Sequence, residues 1–206
     1  MWHILVRGGW MMLPIAICSL VSVTVIIERF FFFRRLRAVT RAEEVIGLVR
    51  KGCLEEALRI TDEAEGLKGP RLPVMKVLSA GITHVFEAAG AMEAAAMVEI
   101  SAMKRGLVAL DTIITLSPLL GLLGTIIGMI GAFNVMATAG LGQPHAVTGG
   151  VAEALVCTAA GIAVAVVTLI PYNYFLSRVE GETDVIEVYA TRLELAVNGA
   201  SRERVS

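Results

Sequence analysis

The sequence predicts an all-α integral membrane protein with three transmembrane helices, two of them extended into a helical cytoplasmic domain. Three observations carry that prediction. Of the 206 residues, 56% are hydrophobic, and the mean hydropathy is +0.73, more apolar surface than one water-soluble core of this size can hide. The 18 Lys and Arg nearly balance the 19 acids, giving a net charge of -1, but the charges are segregated. Between residues 106 and 177 there is no Lys or Arg, and the only acids are Asp111 and Glu153. Basic residues gather instead at the borders of the apolar stretches, as they do beside membrane spans.

A bilayer core of about 30 Å takes roughly 20 helical residues at about 1.5 Å each. Residues 8–27 supply the first uncharged span. It is expected to stay uncleaved, because it is long, lacks a small-residue cleavage site and is followed at once by Arg29, Arg34, Arg35 and Arg37. Ile17 is too bulky for lipoprotein processing at Cys18. Residues 112–152 are uncharged but too long for one crossing. The run Ala139, Gly140, Leu141, Gly142, Gln143, Pro144 and His145 divides them, placing the second span near 110–137 and the third near 149–177, with Pro171 late in the third.

Five Arg between 29 and 41, Lys104 with Arg105, and Arg178 mark the cytoplasmic ends of the three spans. The N-terminus and the 138–148 loop are then external, and the C-terminus cytoplasmic. Trp2 and Trp10 at one end, and Phe30 to Phe33 with Tyr172 and Tyr174 at the other, fit aromatic belts. The predicted organisation is 1–33, first span; 34–105, cytoplasmic helical domain; 106–178, second and third spans; 179–206, cytoplasmic helical tail. Within 34–105, Val45, Ile46, Leu48 and Val49 are separated by Gly52 from Leu54, Ala57 and Leu58, which reads as a helical hairpin. A loop over 66–73, a helix over 74–86, and a long helix running unbroken from about Gly90 into the second span are expected. Val185, Val188, Tyr189 and Leu195 continue the third span inward at helical spacing.

Several function classes fall away. Cys18, Cys53 and Cys157 are scattered and the three His are dispersed, so neither a disulfide scaffold nor a metal centre has support, and no cofactor is expected. The balanced charge gives no sign of a nucleic-acid partner. No Gly-Lys-Ser/Thr follows the glycines, which excludes a Walker-type phosphate loop. Ser117 sits in Ser-Pro rather than a nucleophile setting, with no His in any span, and His145 lies in the loop. Asp111, near Lys104 and Arg105, reads as a hydrated or paired carboxylate at the edge of the second span.

Four glycines in the second span, Gly121, Gly124, Gly128 and Gly131, fall within an arc of about 80° at about 3.6 residues per turn. Such a smooth face is expected to pack on another helix or subunit, and oligomerisation is expected to run through it. Glu153 is the outstanding side chain, since a charge within a span costs on the order of 2.5–3.5 kcal/mol on insertion scales. With no basic residue inside any span, it reads either as a proton-exchanging group or as a hydrated structural acid near the outer mouth. Thr125 and Thr158 read by default as bonding their own backbone. They lie roughly 18 Å and 14 Å from the outer ends of their spans at about 1.5 Å per residue. Glu153 is only about 6 Å deep and points about 140° away from Thr158, so the two do not share one straight face.

The stretch Ser117-Pro-Leu-Leu-Gly-Leu-Leu-Gly-Thr-Ile-Ile-Gly-Met-Ile-Gly-Ala-Phe133 resembles the second-span signature of the MotA/TolQ/ExbB proton-channel family. Gly150-Val-Ala-Glu-Ala-Leu-Val-Cys-Thr-Ala-Ala-Gly161 resembles its third-span signature, nearest the ExbB and TolQ branch. An Ala before the Pro is more usual than Ser117. The resemblance implies that Thr125, Glu153 and Thr158 line a proton path in a stator-type subunit of the bacterial inner membrane, with no covalent catalysis. It also implies a homo-pentamer whose second and third spans surround an ExbD/TolR-like single-span subunit bearing an aspartate, with a TonB/TolA-like periplasm-spanning protein beyond it and lipid around it. A structural or assembly subunit of a larger transporter, with no proton path of its own, is the alternative.

Overall fold

The computed structural model describes residues 9–34, 41–66, 72–139 and 144–203, and every described regular element is helical. α1 spans Met12–Arg34, α2 Ala42–Arg50, α3 Leu54–Gly66, α4 Pro73–Thr83, α5 Ala88–Lys104, α6 Leu107–Ala139 and α7 Pro144–Glu203, with a 3-10 turn at Val85–Glu87. Three helices are long and apolar enough to cross a membrane: α1, α6 over Leu107–Ala137, and α7 within Thr148–Gly199. Residues cluster into two compact units, one from 1–29 with 106–174, the other from 30–105 with 175–206.

In the first unit each long helix turns one stripe inward, made of small or apolar residues except for Arg29. On α1 the stripe is Met12, Ile15, Ser22 and Arg29; on α6 it is Leu110, Ile113, Ser117, Gly121 and Gly124; on α7 it is Ala154, Cys157, Gly161, Ala165 and Thr168. Steps of three, four and seven keep each set on one helical face. Met11, Met12 and Ile15 of the α1 entry meet Cys157, with Leu120 and Ile127 against them. Lower down, Ser22 Oγ and Thr168 Oγ1 are buried 2.6 Å apart. Thr168 commits its one proton to the Val164 carbonyl at 2.7 Å, so Ser22 is the donor of the bond that ties α1 to α7. Leu13, Ile17 and Leu20 of α1, Leu119, Leu122 and Ile126 of α6, and Leu155, Ile162, Val166 and Ile170 of α7 face outward. An apolar exterior over an interior of small residues is what packing in lipid requires, where tight fit rather than water exclusion holds helices together.

The second unit has a conventional apolar core. Gly52, at φ 78°, turns the chain between α2 and α3, the hairpin expected there. Val45, Ile46 and Val49 of α2, Ala57 of α3, Val74, Val77 and Leu78 of α4, and Met92 of α5 are buried with Val179, Ile186 and Leu193 of α7. At Gly81 of α4 a Cβ would lie 2.7 Å from Met92 and 3.0 Å from Leu193, so this glycine marks close approach of three helices. Lys76 pairs with Glu99 at 2.8 Å, Arg192 with Glu43, and Phe33 stacks on Phe175 at 5.5 Å.

The first helix runs Met12–Arg34, opening after Gly9 at a left-handed φ of 66°. Two expectations need correction. The expected unbroken helix from Gly90 into the second span is interrupted: α5 ends at Lys104, Gly106 adopts φ 81°, and α6 begins at Leu107. A left-handed residue cannot continue an α-helix, and Gly106 lies against Val25 and Arg29 of α1. The loop expected over 138–148 is shorter, since α6 runs to Ala139 and α7 begins at Pro144. Proline suits a first helical turn because it has no N–H to leave unpaired. Residues 140–143 of that loop, Trp2, and Arg35 and Arg37 lie outside the described residues.

Candidate functional site

Glu153 stands on α7, in the wall of an open cavity of about 370 Å³. Gly9 and Met11 just ahead of α1, Gly128 and Gly131 of α6, and Gly150 of α7 line it as well. Two of these glycines mark close approach of α6 and α7: at Gly128 a Cβ would already lie 3.0 Å from that of Ala154, and at Gly150 2.9 Å from that of Ala132. The carboxylate itself lies over Gly9, with Oε1 1.9 Å from where a Cβ on that residue would be.

The two threonines do not join Glu153. Thr125 donates to the Leu122 carbonyl of its own helix at 2.6 Å. Thr158 donates across the helix pair, to the Gly121 carbonyl at 2.9 Å. The absent side chain at Gly121 allows that bond, since a Cβ there would lie 3.0 Å from Thr158 Cα. The three side chains therefore have separate contacts, in keeping with the angular offset between Glu153 and Thr158. Asp111 lies beside the Tyr172 hydroxyl, a partner that sequence spacing did not suggest.

The glycine face divides. Gly121, Gly124 and Gly128 are spent inside the chain, against Thr158, Cys157 and Ala154 of α7, whereas a Cβ on Gly131 would meet nothing within 4 Å. The other helix expected against this face is, for three of the four glycines, α7 of the same chain. Enlarging Gly128 would test the fold of the chain itself, and of the four only Gly131 is free for a second subunit. Sequence reasoning missed the opposing stripe, Gly150, Ala154, Cys157 and Gly161. Its steps of four, three and four complement those on α6 and were there to be read. The tightest point is Gly161, where a Cβ would lie 2.4 Å from the Ser117 carbonyl oxygen.

Ser117 is fully buried, and its hydroxyl has no hydrogen-bond partner among the described residues. An unsatisfied buried hydroxyl costs about 1–3 kcal/mol. Ser117→Ala is therefore expected to stabilise the protein by about 1 kcal/mol, read as a higher Tm in detergent; a lower Tm would mean that the hydroxyl has a partner in the membrane.

The model of the MotA/TolQ/ExbB proton channel family matches residues 72–188, which contain both glycine-rich stretches, Thr125, Glu153 and Thr158. Over 196 residues the chain is 32% identical to the putative biopolymer transport protein ExbB-like 1 of Synechocystis sp., covering 92% of this chain and 76% of that protein. It is 34% identical over 192 residues to the putative ExbB-like 3 protein of the same organism, covering 91% and 90%. Over 92 residues it is 37% identical to the Tol-Pal system protein TolQ of Pseudomonas aeruginosa, covering 45% of this chain and 40% of that one.

Proposed function

The chain belongs to the MotA/TolQ/ExbB proton channel family, on its ExbB/TolQ branch, and we propose that it is the stator-type subunit of an inner-membrane complex coupling proton influx to mechanical work. A role in membrane energy transduction follows from the family. The partner and the route are the proposal. Five copies form a ring whose α6 and α7 surround an ExbD/TolR-like single-span subunit. A proton from the periplasm neutralises that subunit's aspartate and is released inward, and the resulting motion is passed to a TonB/TolA-like protein. Each charge crossing 100 mV supplies about 2.3 kcal/mol, comparable with the differences between alternative helix contacts. The ring subunit needs no covalent chemistry for this; it supplies a wall, an acid and hydroxyls.

The observation that carries the proposal is the Glu153 carboxylate, set in an open cavity among glycines on a membrane-type helix inside the family-matched region. An acid in such a place is functional by default. Thr125 and Thr158 complete the route as hydroxyls that both donate and accept, each exchanging its carbonyl bond for water when the path is wet. One observation favours the alternative, an assembly subunit: both hydroxyls are engaged with backbone carbonyls.

Reconstitution separates the two. Vesicles holding this chain and its co-purified single-span partner are expected to take up protons under an imposed potential, and vesicles holding this chain alone are not. Equal flux without the partner, or none with it, would refute the proposal. The orientation is tested by labelling: a Cys replacing Gly142 should react with an impermeant reagent from the periplasmic side, and one replacing Asp62 should not. The reverse pattern would invert the topology.

A further inference from the structure

Gly9, just ahead of α1, lies under the Glu153 carboxylate, and two features favour glycine there. Its φ of 66° lies in the left-handed region that side chains disfavour. A Cβ on it would also stand 1.9 Å from Glu153 Oε1 and 3.1 Å from Cδ, well inside contact distance. Gly9 opens α1: its carbonyl accepts from the Met12 N–H at 3.2 Å, and the Trp10 carbonyl accepts from Leu13 at 3.2 Å. The carboxylate therefore stands beside the N-terminal end of α1, where a helix presents partial positive charge. On the opposite side of the cavity, Gly131 has open space before it and Gly128 packs on Ala154.

We propose that Gly9 is a positioning residue for Glu153: the left-handed turn that opens α1 fixes where the carboxylate stands in the cavity. α1, which carries neither of the two glycine-rich motifs, is thereby coupled to the acid of the third membrane-type helix. Any displacement of the α1 entry moves that acid, and any side chain at position 9 expels it from its seat. The inference rests on Glu153 being the proton-path acid for its functional consequence, but the contact itself can be tested apart from it.

The test is a double-mutant cycle of Gly9→Asn and Glu153→Asp in the full complex with its partner. Asn tolerates a left-handed φ but adds a side chain, and Asp withdraws the carboxylate by one C–C bond, about 1.5 Å. Two readouts are taken, thermal unfolding and proton flux in vesicles. Gly9→Asn alone is expected to lower both, flux by at least tenfold. In the Glu153→Asp background the same substitution should cost less than half of that loss on a logarithmic scale. Equal losses in the two backgrounds, or a Gly9→Asn protein with wild-type unfolding and flux, would overturn the proposal. If Gly9→Asn does not assemble, the double variant decides: assembly supports the proposal and its failure overturns it. Coupling seen in unfolding together with a fully active Glu153→Gln protein would leave the contact standing and remove the proton-path role.

Discussion

Glu153→Gln is expected to reduce proton-driven work to the level that remains under an uncoupler, a loss on the order of a hundredfold, the usual scale for removing a proton-transfer group. The substitution is nearly isosteric, so the seat over Gly9 and the glycine-lined cavity remain. What disappears is the exchangeable proton of a carboxyl group. Ring assembly and partner binding, followed by native mass spectrometry, are therefore expected to persist while activity is lost. An assembly subunit behaves in the opposite way, because an amide satisfies polar contacts as well as an acid does. Full activity in Glu153→Gln would exclude Glu153 from the path. Thr158→Val is a less pure probe, since it also deletes the bond to the Gly121 carbonyl, worth about 0.5–1.5 kcal/mol. Thr158→Ser keeps that bond, so activity in Ser but not Val, at equal Tm, would assign the hydroxyl to function rather than to helix pairing.

Much of this was legible in the residues, and what was not has identifiable causes. The absence of basic residues from 106 to 177 fixed where the two later membrane-type helices lie, because charge in lipid is costly enough to shape the whole sequence. Gly52 announced a turn because it separates two apolar clusters whose faces must fold together. Gly106 gave no such warning. A single glycine among helix formers is tolerated in a helix, and its close approach to Val25 and Arg29 joins residues distant in sequence. The glycines of α6 revealed their angular spacing but not their partner: periodicity gives the direction of a face and is silent on what lies opposite. Only the matching steps of Gly150, Ala154, Cys157 and Gly161 identify an intrachain neighbour. The offset between Glu153 and Thr158 follows from helix geometry alone, whereas the seat of Glu153 on Gly9 depends on a tertiary contact between residues 144 positions apart.

Among the described glycines whose Cβ would meet backbone atoms, Gly161→Ala is expected to be the most damaging. Its Cβ would lie 2.4 Å from the Ser117 carbonyl oxygen and 3.2 Å from both the Cα and the N of Gly121, and all three are backbone atoms. No rotamer change relieves such a contact, so α6 and α7 must separate. Overpacking usually costs about 1–3 kcal/mol, and a clash confined to backbone belongs at or above the top of that range. Separation would also break the Thr158 bond to Gly121 and open the seam that Cys157 and Ala154 fill. A Tm lowered by at least several degrees, with loss of the ring in detergent, is expected. Gly181→Ala on the same helix serves as the control: a Cβ there meets nothing within 4 Å, and helix propensity favours Ala by up to about 1 kcal/mol. Gly124→Ala makes the comparison sharper, because its close contacts at 2.5 Å and 2.9 Å are with the Cys157 side chain. Cys157→Gly should then recover part of the stability lost in Gly124→Ala and none of that lost in Gly161→Ala. If Gly161→Ala were as stable as the parent protein, or were rescued by Cys157→Gly, α6 and α7 would not cross at Ser117 and Gly161, and the close helix pairing on which the Glu153 cavity depends would have to be abandoned.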